Sequence, residues 1–159
     1  MNTKQLKSAL AAVMMLFCLQ ASAQMEFIEK YEDNKKATYV YVGKAMLQMV
    51  GAKQFSMPGR DMSAIADKIN GIQIITSEDA TTAAKIKADV AEEVKKHGYE
   101  VLMKANEEDT KMTIYFLQGK KESYVLMSVA EGESANLIAF TGTFTMEDIA
   151  NLTKEEDQQ

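Results

Sequence analysis

The chain has 159 residues, a formal net charge of −5 and a single cysteine. This length favours one domain that can bury a single hydrophobic core. The acidic balance disfavours nucleic acid as a partner, because such binding depends on Lys and Arg neutralising phosphates, and Arg60 is the one arginine.

The N-terminus has the features of an export signal that is cut after Ala23. Lys4 and Lys7 supply a positive start, and the apolar run Ala9–Leu19 is too short to cross a bilayer. Residues 20–23 follow with the small-residue pattern of a cleavage site. We therefore predict an exported protein, periplasmic or secreted, with a short N-terminal membrane anchor as the alternative.

Cleavage after Ala23 would change the chemistry of the chain. Lys4, Lys7 and Cys18 would be removed, and the net charge would become about −7. Without cysteine the mature chain has no disulfide framework, no thiolate nucleophile and no cysteine-based zinc site. We predict one α+β domain over residues 24–152 and a polar tail over residues 153–159, with no membrane span in the mature chain.

The first part of this domain is predicted to alternate short helices and strands. Apolar residues at helical spacing and β-branched or aromatic runs distinguish the two kinds of element. The predicted helices are 26–31, Lys44–Val50 and Met62–Ile69, and the predicted strands are Thr38–Val42 and Ile72–Thr76. Residues 51–60 are predicted to be a loop with a turn at Pro58-Gly59, and Asn70-Gly71 is predicted to break the third helix.

The longest predicted helix runs from a cap at Thr76 or Ser77 to His97. Its inner stripe consists of Ala83, Ile86, Val90 and Val94. Gly98 is predicted to end it in the left-handed conformation.

Four strands are predicted to follow as an antiparallel meander. They are Tyr99–Ala105, Lys111–Gln118, Glu122–Ala130 and Ala135–Thr143. We predict two-residue turns at Glu107-Glu108, Gly119-Lys120 and Gly132-Glu133. These turns place Met103 opposite Met112, Ile114 opposite Val125, and Val125 opposite Phe140. Thr145 with Asp148 then resembles a capping box that opens a last helix.

These registers divide the meander into two faces. We predict that the face with Phe116, Val125 and Phe140 is the core. The opposite face is apolar and aromatic, and we predict it as a candidate partner surface formed by Leu102, Tyr115, Leu117, Tyr124, Leu126 and Leu137. The alternatives are that a helix covers this face or that its tyrosines and threonines decorate a solvated sheet.

Arg60 and His97 are the two residues that could each form a site of their own. Arg60 follows Pro58-Gly59 and precedes a helix start, so it is a candidate anion contact, with an ordinary surface pair to Asp61 as the alternative. His97 is the only histidine and cannot form a usual zinc site alone. No G-x-S-x-G elbow supplies a serine nucleophile. We predict that His97 interacts with the helix dipole.

Catalytic, cofactor and metal sites are not predicted. The methionines, including Met46 and Met49, follow the apolar pattern, which favours core packing over copper binding. A carboxylate pair for glycan hydrolysis stays open as an alternative, but the acidic candidates fall in predicted hairpin tips, where solvated turns explain them: Glu107, Glu108, Glu131 and Glu133.

Several hydrophobic patterns together resemble a known family. They are Phe27 and Tyr31, Tyr39–Met46, Ile69, Gly71-Ile72, Ile74–Thr76, Tyr99-Glu100, Leu102-Met103, and Leu137–Gly142 with the closing helix. In these the chain resembles the exported bacterial proteins of domain of unknown function 4252. The resemblance implies a Gram-negative envelope protein without an assigned activity, and it lends no functional residues. Genes of such proteins often lie near sigma-factor regulators, which implies a link to envelope signalling.

The sequence therefore predicts an α+β fold with a mainly antiparallel sheet of about six strands, a C-terminal four-stranded meander and helices packed on one face. We predict an uncharacterised envelope protein that is a non-catalytic binding or regulatory module without a cofactor. Its predicted partner is an envelope protein or a second copy, bound through the second sheet face. The alternatives are a carboxylate-dependent hydrolase acting on glycans and a carrier of a small lipophile.

Overall fold

The computed structural model describes residues 25–50, 56–57, 60–61 and 63–154. Its helices are α1 (Glu26–Glu29), α2 (Lys44–Val50), α3 (Ser63–Ala66), α4 (Ala80–His97) and α5 (Met146–Lys154). Its strands are β1 (Thr38–Gly43), β2 (Ser56–Met57), β3 (Arg60–Asp61), β4 (Ile69–Ser77), β5 (Glu100–Glu107), β6 (Thr110–Gln118), β7 (Ser123–Glu131) and β8 (Ser134–Gly142). The α+β class is confirmed. The predicted signal, residues 1–23, lies outside the described residues.

Six strands form one sheet in the order β1-β4-β8-β7-β6-β5, and every neighbouring pair is antiparallel. The predicted meander is confirmed as β5 to β8. Strands β2 and β3 form a separate pair within the segment predicted as a loop. The predicted turn at Pro58-Gly59 lies outside the described residues. Among those that are described, no helix combines the length and the apolar character needed to span a membrane.

The register of the last hairpin is confirmed. Val125 lies opposite Phe140 around a two-residue turn at Gly132-Glu133, and Gly132 has a φ of 53°. The predicted register of the preceding hairpin is wrong by two residues, because Ile114 lies opposite Met127 rather than Val125. The reason is a loop of four residues rather than two between Gln118 and Ser123, which lie opposite each other.

Gly119 explains the tight start of this loop. A Cβ atom at Gly119 would lie 2.0 Å from the carbonyl oxygen of Glu122, so only a residue without a side chain allows this approach. At the loop's end the Gln118 side-chain nitrogen donates to Ser123 Oγ over 2.8 Å.

The first hairpin also differs from its prediction. Its turn is Glu108-Asp109, since Glu107 lies opposite Thr110, and Glu108 has a φ of 44°. Within β5 the register shifts between Val101 and Met103, which is a β-bulge at Leu102.

Strand β4 begins where a helix was predicted to continue. Ile69 already lies opposite Gly142, and the predicted break at Asn70-Gly71 is part of the strand. Gly71 lies opposite Gly43, and the ring of Tyr41 lies over both glycines. The helical spacing of residues 62–69 therefore yields only the four-residue α3, because tertiary pairing takes the rest of the segment into the sheet.

Helices lie on both faces of the sheet, so the prediction that they pack on one face is wrong. Helices α1 and α4 cover one face, which we call the α4 face. Helices α2, α3 and α5 cover part of the other, which we call the Phe116 face. The physical reason is the alternation within β7, because Tyr124 and Leu126 point to the α4 face and Val125 to the Phe116 face.

The caps of α4 and α5 are made by aspartates. Asp79, rather than Thr76 or Ser77, caps α4, and its Oδ1 accepts from the side-chain hydroxyl and backbone N–H of Thr82, which lower the pKa of Asp79 to about 2. The left-handed stop at Gly98, with a φ of 70°, is confirmed.

The predicted capping box of α5 is also confirmed. The Thr145 N–H donates to Asp148 Oδ2 over 2.8 Å, and the Asp148 N–H donates to Thr145 Oγ1 over 3.2 Å. Lys68 Nζ lies 2.6 Å from Asp148 Oδ1, and this bond is the largest cause of the lowered pKa of Asp148.

A buried tyrosine two residues after α1 ties this segment to α4. The hydroxyl of Tyr31, which is 2% exposed, donates to Asp89, and Lys30 Nζ lies 2.7 Å from the same carboxylate. We expect Tyr31→Phe to lower the free energy of unfolding by about 1.5–3 kcal/mol, because it removes a hydrogen bond to a charged group. Urea unfolding measures this change. Tyr41→Phe is the matched control, since Tyr41 is 61% exposed, and an equal loss in both variants would contradict the assignment.

Candidate functional site

The predicted partner surface is buried, so this prediction is wrong. Leu126 and Leu137 are 0% and 1% exposed beneath α4, and Tyr124 is buried with them. Tyr115 and Leu117 are partly buried against the same core. The alternative that a helix covers this face is the correct one, because the inner stripe of α4 needs an apolar surface against which to pack.

Leu102, the remaining member of that surface, lies on the opposite face. It packs against the cluster that contains Phe116 and Val125. The bulge in β5 causes this, because one extra residue reverses the side to which the next side chain points.

The other predicted site residues are Arg60 and the four glutamates at the hairpin ends. The backbone of Arg60 pairs with Met57 in the β2–β3 hairpin, and its side chain lies outside the described part of the chain, so the anion contact stays a prediction. The four candidate glutamates are exposed at the ends of the hairpins, where they were expected. No group of three or more His, Cys, Asp or Glu residues within the described segments could hold a metal ion.

The Phe116 face carries an apolar row that crosses the whole sheet. Each member lies directly opposite the next across a strand pair. From β1 to β5 the row consists of Val40, Ile74, Ile138, Met127, Ile114 and Met103, and we call it the open row.

The open row lies beside a covered row and is itself only partly covered. The adjacent register row, which includes Phe116, Val125 and Phe140, is buried beneath α2, α3 and α5. In the open row the two ends are exposed, Val40 at 41% and Met103 at 37%, and the four central side chains are half-buried. The described helices therefore cover one end of this face and leave an apolar strip beside it.

The composition of the open row suits binding rather than catalysis. It contains no charged or hydrogen-bonding side chain, and two of its six members are methionines, whose flexible side chains adapt to irregular partners. The sequence predicts four of these six residues on the core face and assigns no face to Val40 and Ile74. Alternation shows which side chains share a face but not how far a helix covers it.

A second feature is a buried polar cluster at the end of α4. Glu93 is 6% exposed and its Oε1 has no hydrogen-bond partner, and the hydroxyl of the buried Tyr99 is also unpaired. Burial raises the pKa of Glu93 to about 7, with Lys96 opposing and Glu92 adding to the shift. Burial likewise raises the pKa of Tyr99, with a further contribution from the charge of Glu93.

His97 lies beside this cluster, but burial opposes an ion pair between its imidazole and the Glu93 carboxyl group. Its Nε2 lies 3.6 Å from Glu93 Oε1, and burial lowers the pKa of His97, followed by the charge of Lys96. Burial raises the pKa of Glu93 and lowers the pKa of His97, so both shifts favour the neutral forms and oppose an ion pair between the two groups. The predicted position of His97 in the last turn is confirmed, but the charged form that a dipole would favour is disfavoured by burial.

These features define an α+β domain built on a six-stranded antiparallel sheet with one apolar strip that the described helices cover only partly. The chain belongs to the family described as domain of unknown function DUF4252, whose model matches residues 31–152. The resemblance inferred from the sequence is thereby confirmed.

Other comparisons add little. A comparison with curated proteins finds no significant match. Among solved structures, the chain is similar to the crystal structure of a Pseudomonas aeruginosa protein of unknown function that is described as a candidate regulator. The sequence identity is 12% and the TM-score is 0.38, over 80% of this chain and 82% of that chain. Similarity at this level carries no argument about function.

Proposed function

We propose that this chain is an exported, non-catalytic binding module of the bacterial cell envelope, and that its partner surface is the open row. The observation that carries the proposal is the unbroken apolar row across all six strands, whose ends at Val40 and Met103 are exposed. Binding would remove this strip from water, which stabilises a complex by roughly 25 cal/mol per Å² of apolar area.

The dimensions of the open row fit one kind of partner. Six strands about 4.8 Å apart give a strip roughly 24 Å long that runs across the strands. An α-helix of about 16 residues has the same length. We therefore propose an amphipathic helix of an envelope protein as the partner, with its apolar side laid across the strands.

The export and the absence of catalysis rest on separate observations. Export is supported by the charged start, apolar run and cleavage pattern of residues 1–23. The non-catalytic assignment is supported by the position of Glu93, since this residue is 6% exposed and its carboxyl group offers a substrate little access.

Site-specific photo-crosslinking in cells of the native host tests the proposal. A photoreactive amino acid at Ile114, in the open row, is expected to capture another envelope protein. The matched control is Lys111, on the same strand, which is exposed and points to the opposite face. We expect no adduct there.

A charged substitution in the row sharpens this test. Met127→Asp is expected to abolish the adduct formed from Ile114 while the protein stays folded, because Met127 lies beside Ile114 and is half-buried. Equal adducts at Ile114 and Lys111, or an adduct unaffected by Met127→Asp, would contradict the open row as the partner surface.

A further inference from the structure

The two edges of the six-stranded sheet differ in their protection against pairing with another strand. β5 carries Glu100, Lys104 and Glu107, and its ladder is interrupted by the bulge. β1 contains no charged residue and no proline, and it pairs with β4 through six consecutive residues without a shift. Charges, prolines and bulges are the devices that keep an edge strand from pairing. Of the two edges, β1 is therefore the unprotected one.

The outer side of β1 has no strand partner among the described residues, since β1 is the terminal strand of the sheet. Val40 and Tyr41 are 41% and 61% exposed. Alternate backbone N–H and C=O groups along an edge strand point away from the sheet and need a hydrogen-bond partner.

The residues of β1 are complementary to themselves. A two-fold axis through Val40 places Val40 of one copy opposite Val40 of the other. On either side, Tyr39 then lies opposite Tyr41 and Thr38 opposite Val42, each pair occurring twice. Paired aromatic and paired β-branched side chains are favourable neighbours across antiparallel strands.

The nearest charged residues on either side of β1 are Lys36 and Lys44, and the two-fold axis places Lys36 of one copy opposite Lys44 of the other, so this repulsion has to be offset. Lys36, just before the strand, lies 3.0 Å from the carboxylate of Asp79. Its charge is thereby compensated within its own copy. The partner that β1 requires is an uncharged strand of alternating aromatic and β-branched residues, and β1 meets that description.

We infer that two copies of this chain pair through their β1 edges to form a symmetric dimer with one continuous sheet. In this dimer the two open rows meet at Val40 and become a single apolar row across both copies. The inference goes beyond the proposed function and does not require it. An edge contact of this kind buries less than the roughly 1,200 Å² of a standard interface, so we expect association to depend on concentration.

Analytical ultracentrifugation over a wide concentration range tests the dimer with two matched variants. Val40→Lys is expected to weaken self-association at least about tenfold, because it places two like charges directly opposite each other. Met103→Lys makes the same change at the other end of the open row and is expected to leave association unchanged, because Met103 belongs to β5.

A second experiment, disulfide cross-linking, tests the dimer by the gain of a covalent bond rather than by the loss of association. In a Cys18→Ser background the chain has no thiol. Val40→Cys in that background is expected to form a disulfide-linked dimer under mild oxidation, because directly opposite residues of antiparallel strands lie within disulfide reach. Met103→Cys is expected to stay monomeric under the same conditions.

Each contrary result would overturn the inference. A wild-type chain that sediments as a monomer at every concentration excludes the dimer. Association lost in Met103→Lys but kept in Val40→Lys assigns it to the other edge. Preferential linkage of Val40→Cys to a different protein assigns β1 to another strand. A dimer that forms while Ile114 captures no envelope protein supports this inference and contradicts only the proposed function.

Discussion

Shortening Leu126 to alanine is expected to lower the free energy of unfolding by about 2–5 kcal/mol. Leu126 is 0% exposed and lies in β7 beneath α4, among Ile86, Val90 and Leu137. The removed atoms would leave a cavity between a helix and a sheet that are held in place by the rest of the core, so the site cannot collapse fully. Urea unfolding monitored by circular dichroism measures the loss.

The control for this prediction is Val101→Ala. Val101 is 48% exposed on the edge strand β5, so we expect a change within about 0.5 kcal/mol. The comparison distinguishes a core residue from a surface residue of the same meander. If Leu126→Ala unfolded at the same urea concentration as the wild type, α4 would not cover this face as described.

Replacing Glu93 with glutamine is expected to remove most of the pH dependence of stability between pH 5 and pH 8. Burial raises the pKa of Glu93 from an ordinary value of 4.5 to about 7, so the folded state holds this proton more tightly than the unfolded state. The stability contributed by the protonated carboxyl is therefore complete below pH 4.5, falls as the pH rises, and is lost above about pH 7.

The size of this pH dependence follows from the pKa shift of Glu93. A carboxyl of this kind costs about 2–3 kcal/mol when it is forced to ionise in the folded protein. From pH 5 to pH 8 we therefore expect the wild type to lose about 2–3 kcal/mol of unfolding free energy relative to Glu93→Gln. Urea unfolding at both pH values provides the measurement.

Glu92→Gln is the matched control for Glu93→Gln. Glu92 is the preceding residue and is exposed, and its charge is the smallest of the three causes of the Glu93 pKa shift, so its replacement is expected to leave most of the pH dependence in place. Parallel pH profiles for the wild type and Glu93→Gln would show that Glu93 ionises as easily in the folded as in the unfolded protein, and would contradict its burial as a charged group.

Local patterns were sufficient to predict most elements of this fold. The alternation of apolar residues and the Gly132-Glu133 turn placed Val125 opposite Phe140, as found. The inner stripe of α4 and the stop at Gly98 were likewise visible in the sequence. Such features depend on neighbours within a few residues, which is why periodicity and turn chemistry predict them.

Features that depend on distant parts of the chain could not be predicted in the same way. The two faces of the sheet are both apolar and look alike in the sequence. Only the docking of α4 determines which of them the longest helix covers. The bulge at Leu102 depends on pairing between β5 and β6, and nothing in the local sequence of β5 demands it.

The buried Glu93 left a signal that the prediction did not use. It follows Val90 by three residues and therefore lies beside the apolar stripe of α4. A glutamate at the edge of an apolar stripe is usually expected to be exposed, because its long side chain can extend and place the carboxyl group in water. Only the packing around Tyr99 shows that Glu93 does not do so.

The central position of β8 has a consequence for the order in which the chain can fold. β4 lies between β1 and β8, so the N-terminal pair of strands joins the meander only through the last strand to be synthesised. A two-stranded hairpin alone is marginally stable in water. Closing the long loop from β4 to β8 is entropically costly and slow. We therefore expect cooperative stability to appear only after the final strand has been synthesised.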